Sequence, residues 1–242
     1  TGSGDETGWA VPSLQTVLMS VAAFASGVSE ALKIRKKNEV KVLGFAGDGG
    51  TFDIGLQALA GAIERGHDII YLCYNNEAYM NTGNQRSSAT PLGAFTKTTY
   101  EGKKEHSKNI DFMLLQLPLA YQATASIGNI NDLKRKILKA KETRGFSFIH
   151  VLAPCSSGWK FPPEETIQLG RLAVNSGLWP LWERESERLV RNMKNADWSL
   201  IPEYIKRQKR FAGITEEAIQ RITEEAKRRF SILEEMEDMK WL

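Results

Sequence analysis

The sequence predicts an α/β protein built on a mainly parallel sheet flanked by helices, and three observations lead there. Short apolar runs rich in strand formers alternate with segments of helical spacing. The run Val40–Ala46 stops at Gly47-Asp48-Gly49-Gly50, immediately before a helix-patterned stretch. A second apolar run then ends at Asn75-Asn76, which makes a strand–loop–helix–strand unit.

From Val11 to Leu32, Leu14, Val17, Leu18, Val21, Ala22 and Ala25 recur at helical spacing, and the small residues Ala23, Ser26 and Gly27 permit close packing, so a mostly buried helix is expected. A polar turn over Arg35–Glu39 precedes the first strand, which ends at Gly47. Ile54–Glu64 carries Leu56, Ala60 and Ile63 on one face and stops at Arg65-Gly66, and Asp68–Tyr74 reads as the second strand. Parallel neighbours joined by a right-handed crossover bring both strand ends, and so both Gly47–Gly50 and Asn75-Asn76, to the carboxyl edge where open sheets bind ligands. Asp111–Leu117 is expected as helix, Tyr121–Ile127 as strand, Asn131–Thr143 as helix with Asn131 as N-cap, and Phe146–Ala153 as a buried strand. After Pro154 the composition shifts. Pro162-Pro163 can open a helix to about Ser176, and Thr215–Met239 is a charged helix with Ile219, Ile222, Ala226, Phe230 and Leu233 along one side, a candidate docking arm or a surface helix packed on its own domain. The expected organisation is an α/β domain over 1–183 and a helical C-terminal extension over 184–242.

With 242 residues, 42% hydrophobic, the chain can bury a substantial core. Its 32 basic and 29 acidic residues are spread without a long basic run or aromatic–basic interleaving, which argues against nucleic acid as a partner. No apolar run is long enough to span a membrane, and the opening TGSGDETGWA lacks a basic–apolar leader, so a cytoplasmic protein is expected. Two cysteines, Cys73 and Cys155, cannot form a disulfide framework or a local CxxC metal site.

The chemistry is carried by the glycine loop and the asparagine pair. A diphosphate bound with a divalent ion needs backbone N–H groups at a helix N-terminus, a carboxylate for the metal, and further oxygens nearby. Gly47 and Gly49 let the backbone approach phosphate oxygens, Asp48 can reach magnesium, and Asn75-Asn76-Glu77-Ala78 brings an amide oxygen and an exposed carbonyl to the adjacent strand end. Either motif alone is equally readable as a tight turn; their combination across a helix and a second strand is the specific signal. Cys73, inside a strand, reads as core. His67, His106 and His150 show no metal spacing and read as structural or surface residues. Arg86, Ser87 and Ser88 shape either a substrate or partner interface or simply a polar loop.

A GDG followed after some 25 residues by NN resembles the thiamine-diphosphate fingerprint. The stretch from Gly44 through YNNEAYMNTGNQRSSATPLGA is similar to the β subunit of 2-oxoacid:ferredoxin oxidoreductases, most like the pyruvate enzymes, and the likeness returns at FIHVLAPCSSGW and IQLGRLAVNSGLWPLWE. The resemblance implies the thiamine-diphosphate-binding fold. It assigns Asp48, the Asn76 side chain and the Ala78 carbonyl to magnesium, with Gly47, Gly49, Met80 and Thr82 lining the diphosphate. Asn81 would face the thiazolium and the substrate carbonyl, where an amide can donate to the oxygen that gains charge. Glu77 is expected to be structural. Cys155 matches the last ligand of a [4Fe-4S] cluster, which needs four thiolates. The family's other three lie upstream, beginning with a CxxC, in a region this sequence does not contain, and the chain is expected to begin within the family pattern. Ser156-Ser157 stands where the family has Pro-Thr.

The implied activity is thiamine-dependent oxidative decarboxylation of a small 2-oxoacid, with electrons passing through [4Fe-4S] clusters to ferredoxin and the acyl group to coenzyme A as co-substrate. Pyruvate is the leading substrate, with oxalate and 2-oxobutyrate as alternatives, since TGWAVPSLQTVLMSVAAF departs from the pyruvate pattern. The glutamate that activates the aminopyrimidine is expected on a partner, so the chain is expected to work with alpha, gamma and delta type subunits, separate or fused. A cluster-free thiamine decarboxylase and a non-catalytic assembly subunit are the competing readings; the intact Asp48, Asn76 and Asn81 set argues against the second.

Overall fold

The computed structural model describes residues 11–185 and 188–237. The opening at 1–10 and the last two positions of the expected C-terminal helix, 238–239, lie outside the described residues. In chain order the elements are α1 (Val21–Ile34), β1 (Val42–Gly47), a π-helical turn (Gly49–Asp53), α2 (Leu56–Glu64), β2 (Ile69–Asn75), α3 (Ile110–Leu114), β3 (Tyr121–Ser126), α4 (Ile130–Glu142), β4 (Ser147–Leu152), α5 (Ser156–Trp159), α6 (Thr166–Asn175), β5 (Trp182–Glu185), β6 (Arg188–Arg191), α7 (Ile201–Lys206) and α8 (Glu216–Glu237).

One six-stranded sheet runs in the order β1-β2-β4-β3-β5-β6. The first four are mutually parallel, whereas β5 pairs antiparallel with β3, and β6 with β5. The boundary expected at 183 falls inside β5, and β6 beyond it is the last strand of the same sheet. The crossovers β1-α2-β2 and β3-α4-β4 run in opposite directions along the sheet, so right-handedness puts their helices on opposite faces. On one face α1 and α2 bury Ala22, Ala25, Leu59 and Ile63 against Tyr71, Cys73 and Phe148. On the other, Leu133 and Ala140 of α4 cover Ile149, Ala123 and Ala125. Helices on both sides leave every residue of β3 and β4 buried, and the polar Gln122, Thr124 and Ser126 among them donate to backbone carbonyls. The two crossovers reverse between β2 and β4, which opens a crevice at their carboxyl ends.

The C-terminal part adds a second core. Trp159, Leu169, Ile201, Tyr204, Ile205 and Phe211 pack with Ile219 and Ala226 of α8, while Leu233 joins Leu115, Trp182 and Leu189. The apolar stripe of α8 is therefore spent on its own chain, and the docking-arm reading gives way to the packed-helix one. Two local expectations are corrected. The first helix starts at Val21 rather than Val11, and half of its residues are exposed, with only Ala22, Ala25 and Ser29 buried. The stretch before it lies along the glycine loop, its Leu18 carbonyl 2.8 Å and its Met19 carbonyl 3.1 Å from where side chains at Gly50 and Gly55 would begin, and that contact overrides helical spacing. Asn129, not Asn131, occupies the N-cap of α4, so Asn131 falls within the first turn. No helix among the described residues is long and apolar enough to cross a membrane.

Glu183 pins the antiparallel edge to the parallel body. Its carboxylate accepts from Tyr121 of β3 (2.8 Å), Arg135 of α4 (2.7 Å) and Asn192 (3.0 Å), with Lys139 at 3.3 Å. Burial alone raises its pKa, but these donors outweigh it and hold it at about 2, below the usual 4.5. A carboxyl with a depressed folded-state pKa stabilises fully above its unfolded value and loses that contribution as pH falls toward the folded one. Glu183→Gln is thus expected to cost about 3 kcal/mol at neutral pH, with the gap to wild type closing between about pH 4.5 and 2; melting temperatures across that range measure it.

Candidate functional site

The site forms where β1 and β2 end side by side. Their register sets Gly47 opposite Tyr74, so Asp48 and Asn75-Asn76 emerge next to each other. Asp48 is 1% exposed, and burial pushes its carboxyl up to about 7 against the lowering effect of the Ser87 hydroxyl. That hydroxyl donates to Oδ2 at 2.5 Å, leaving Oδ1 toward Asn76, whose backbone N–H lies 3.4 Å away. One terminal atom of the Asn76 carboxamide sits 2.8 Å from the Ala78 carbonyl oxygen and 3.0 Å from Asp48 Oδ1. With nitrogen there, the amide bridges two acceptors. With oxygen there, it stands from each of the other two oxygens at the separation of adjacent ligands around magnesium, about 2.9 Å for octahedral bonds of about 2.0–2.1 Å. The donor set therefore fits a small hard cation.

The turn that creates this arrangement is strained. Glu77 has φ 63°, a left-handed conformation costing a non-glycine residue about 1–2 kcal/mol. Several bonds hold it. Its N–H donates to Asn75 Oδ1 (2.8 Å), its carbonyl accepts from Thr90 Oγ1 (2.7 Å), and its carboxylate pairs charge to charge with Arg210 at 2.6 Å. Arg210 sits over Trp159, its Cζ 3.7 Å from the ring centre, and Trp159 Nε1 donates to the Asn76 carbonyl at 2.8 Å. Glu77 is thus fully engaged in structure.

The glycines serve packing as well as approach. A Cβ at Gly49 would lie 2.6 Å from Tyr79 Cζ, and Tyr79 in turn donates to the Gly49 carbonyl and to Asp53, both at 3.1 Å. Asp53 also accepts from the Ser88 N–H at 3.1 Å, so the loop after β2 is laced to the π-helical turn. Met80 packs into the C-terminal core beside Cys155, the two sulfur atoms flanking Gly158. Asn81 and Thr82 are exposed on the next turn, where Thr82 donates to Gln85 Oε1 at 2.5 Å. Cys155 is half-buried at the start of α5, 3.3 Å from Ser157 Oγ, while Cys73 is fully buried in β2. A lone half-buried thiol does not make a four-thiolate site, so the described residues do not hold an iron–sulfur cluster by themselves.

Sequence reasoning brought together Gly47, Asp48, Gly49, Asn76 and Ala78. It left Ser87 undecided and missed Tyr79, Trp159 and Arg210. A serine pair in a polar loop hinted at the first; Trp159 and Arg210 act from distant positions, and Tyr79, beside the asparagine pair, acts on Gly49 and Asp53 across the sheet edge. A cavity of about 110 Å3 is lined by Asn75, Glu77, Asp111 and His150 but not by Asp48, Asn76 or Ala78.

Residues 6–151 match the family model for the thiamine pyrophosphate enzyme, C-terminal TPP binding domain. Pyruvate synthase subunit PorB of Methanothermobacter thermautotrophicus is 48% identical over 224 residues, covering 90% of this chain and 78% of that protein. Ketoisovalerate oxidoreductase subunit VorB of Pyrococcus furiosus is 42% identical over 239 residues, covering 94% and 75%. The structure of 2-oxoglutarate:ferredoxin oxidoreductase from Magnetococcus marinus, with 2-oxoglutarate, coenzyme A and succinyl-CoA bound, superposes with a TM-score of 0.52 at 21% identity over 63% of this chain. This chain spans 57% of that one, and the likeness is one of fold.

The contact between Gly49 and the Tyr79 ring makes a separable prediction. Gly49→Ala is expected to cost about 1–3 kcal/mol through overpacking. In a Tyr79→Leu background the same change should cost far less, a coupling that a double-mutant cycle of melting temperatures detects.

Proposed function

Because the chain belongs to the thiamine pyrophosphate enzyme family, as a β subunit of the 2-oxoacid:ferredoxin oxidoreductases, we propose that it binds magnesium and thiamine diphosphate for the oxidative decarboxylation of a 2-oxoacid, with pyruvate as substrate. The observation that carries this reading is the meeting of Asp48 Oδ1, the Asn76 carboxamide and the Ala78 carbonyl within 2.8–3.0 Å. Similarity to pyruvate synthase subunits along most of the chain supports the choice of substrate.

In this reading Asp48, Asn76 and the Ala78 carbonyl hold the metal, and a cation at that point keeps Asp48 ionised despite its burial. Gly47, Gly49, Met80 and Thr82 line the diphosphate, and the positive end of the turn leading into α2 favours its charge. Thiamine diphosphate supplies a nucleophilic carbon for the keto group and an electron sink for decarboxylation. Asn81, exposed on its turn, donates a hydrogen bond to the substrate carbonyl oxygen as charge develops there. Glu77 takes no part in proton transfer, because Arg210 occupies its carboxylate.

The redox half of the reaction draws on other components. Cys155 would supply one thiolate to a [4Fe-4S] cluster completed by cysteines outside this sequence, and such a cluster would carry electrons toward ferredoxin, with coenzyme A as the acyl acceptor. A partner subunit provides the glutamate for the aminopyrimidine and closes the site. Exposed Leu18, Met19 and Ile54 beside the glycine loop support such a partner, since apolar side chains grouped at a functional edge mark an interaction surface. The assembly is proposed to be cytoplasmic.

Viologen reduction by the assembled complex, assayed with pyruvate, 2-oxobutyrate, a branched 2-oxoacid, oxalate and 2-oxoglutarate, with and without coenzyme A, tests this. Pyruvate with coenzyme A is expected to give the fastest rate, metal chelation to abolish it, and Asp48→Ala to lower it by about 100-fold or more. Cys155→Ser is expected to remove iron–sulfur absorbance while leaving thiamine diphosphate binding intact. Reduction with none of the acids would overturn the proposal.

A further inference from the structure

Behind the strained turn at Glu77 runs a buried chain of three side chains for which the chemistry above has no use. Asn75 and His150 are each 3% exposed. Asn75 Oδ1 accepts the Glu77 N–H at 2.8 Å, so its other terminus, Nδ2, must be the donor in the 3.0 Å contact with His150 Nε2. His150 Nε2 is then an acceptor, and the ring carries its proton on Nδ1, which donates to Asp111 Oδ2 at 2.9 Å. The ring is packed edge-on against Phe52 (centroids 5.2 Å apart) and Trp179 (4.6 Å), so it cannot turn to exchange its two nitrogens without displacing both. Asp111 lies in the first turn of α3, and the second oxygen of its carboxylate is buried without a protein hydrogen-bond partner, leaving Oδ2 committed to the histidine. The three elements β2, β4 and α3 are thereby linked end to end, and the link terminates on the backbone N–H of the residue between two metal-binding positions.

We propose that His150 is a positioning residue for the metal–diphosphate loop. Fixed as the Nδ1–H form by Asp111, it sets the orientation of the Asn75 amide, which holds the Glu77 N–H and so keeps the Asn76 carboxamide and the Ala78 carbonyl turned toward Asp48. The inference rests on reading that loop as a magnesium–thiamine diphosphate site. Its logic is that of outer partners which orient metal ligands without touching the metal. Were the Asn75 amide reversed, nitrogen would face the Glu77 N–H, donor against donor, and the left-handed turn would lose one of the bonds that hold it.

The test uses the cofactor-stripped complex, with three measurements on each variant: the dissociation constant for thiamine diphosphate with magnesium, kcat at saturating cofactor, and amide hydrogen exchange of the 76–79 segment without cofactor. His150→Phe keeps the packing against Phe52 and Trp179 but removes both ring nitrogens. It is expected to weaken cofactor binding by about 10–100-fold and to speed exchange at Glu77, with kcat at saturation lowered far less than affinity. Asp111→Ala should behave alike, whereas Asp111→Asn, whose amide oxygen still accepts the Nδ1 proton, should restore affinity to within about threefold of wild type. Should the phenylalanine variant fail to fold, the Asp111 pair decides. Wild-type affinity and unchanged Glu77 exchange in Asp111→Ala overturn the proposal, as does Asp111→Asn weakening as much as Asp111→Ala. A wild-type complex that binds no thiamine diphosphate overturns the functional reading instead, and exchange at Glu77 still reports whether the relay holds the turn.

Discussion

A carboxylate oxygen and a peptide carbonyl oxygen lie 3.0 and 2.8 Å from one carboxamide atom in a place sheltered from water, and much of this molecule is arranged to bring these groups there. The Asp48 carboxylate, the Asn76 carboxamide and the Ala78 carbonyl come from two strand ends and one turn. Adjacent parallel strands supply the first part of the solution, because their register fixes how far apart the two chains leave the sheet. The second part is Glu77, whose left-handed backbone reverses the chain within one residue so that the carbonyl after it points back. Such a turn is unfavourable on its own and persists only when its surroundings over-determine it.

Those surroundings reach across the whole chain. Thr90 and Asn75 hold the Glu77 backbone from nearby, whereas Arg210 and Trp159 hold its carboxylate and the neighbouring carbonyl from the C-terminal core. The Phe95 N–H donates to the Arg210 carbonyl at 2.7 Å, which ties the same segment to the loop after β2. A buried ion pair such as Glu77–Arg210 is weak evidence for stability but strong evidence for a specified geometry, because removing either partner strands a charge. The C-terminal helices therefore serve the site as a brace, and the apolar stripe of α8 is used to fasten that brace to the sheet.

This division explains what the sequence disclosed. The glycine loop, the asparagine pair and the alternation of strands and helices are local in the chain, so spacing and residue type reveal them. Even the strand order was partly legible, since a strand–helix–strand unit implies parallel neighbours, although the antiparallel β5–β6 edge carried no such signal. Ser87, Tyr79, His150, Trp159 and Arg210 act through contacts that span up to 133 residues, from Glu77 to Arg210, and nothing in their immediate neighbourhood distinguishes a serine in a polar loop from one that grips a buried carboxylate. The first helix was misjudged for a related reason. Periodicity reports which residues would share a face, not whether this chain supplies anything to cover that face.

That uncovered face bears on how the reaction is divided among chains. A nucleophilic cofactor needs a dry, enclosed setting, yet Leu18, Met19 and Ile54 beside the glycine loop, and Asn81 and Thr82 on the turn opposite, are open to solvent in this chain. Enclosure by a second polypeptide answers both conditions at once: it buries the apolar side chains and excludes water from the cofactor. The same reasoning applies to the thiol of Cys155. It stands beside Met80 at the edge of the site, half-buried, where one thiolate of a shared cluster would lie close to the reacting group, whereas Cys73 is sealed inside β2. The meeting of Asp48, Asn76 and Ala78 is thus built within this chain, while the exposed apolar side chains beside it call for a partner to enclose it.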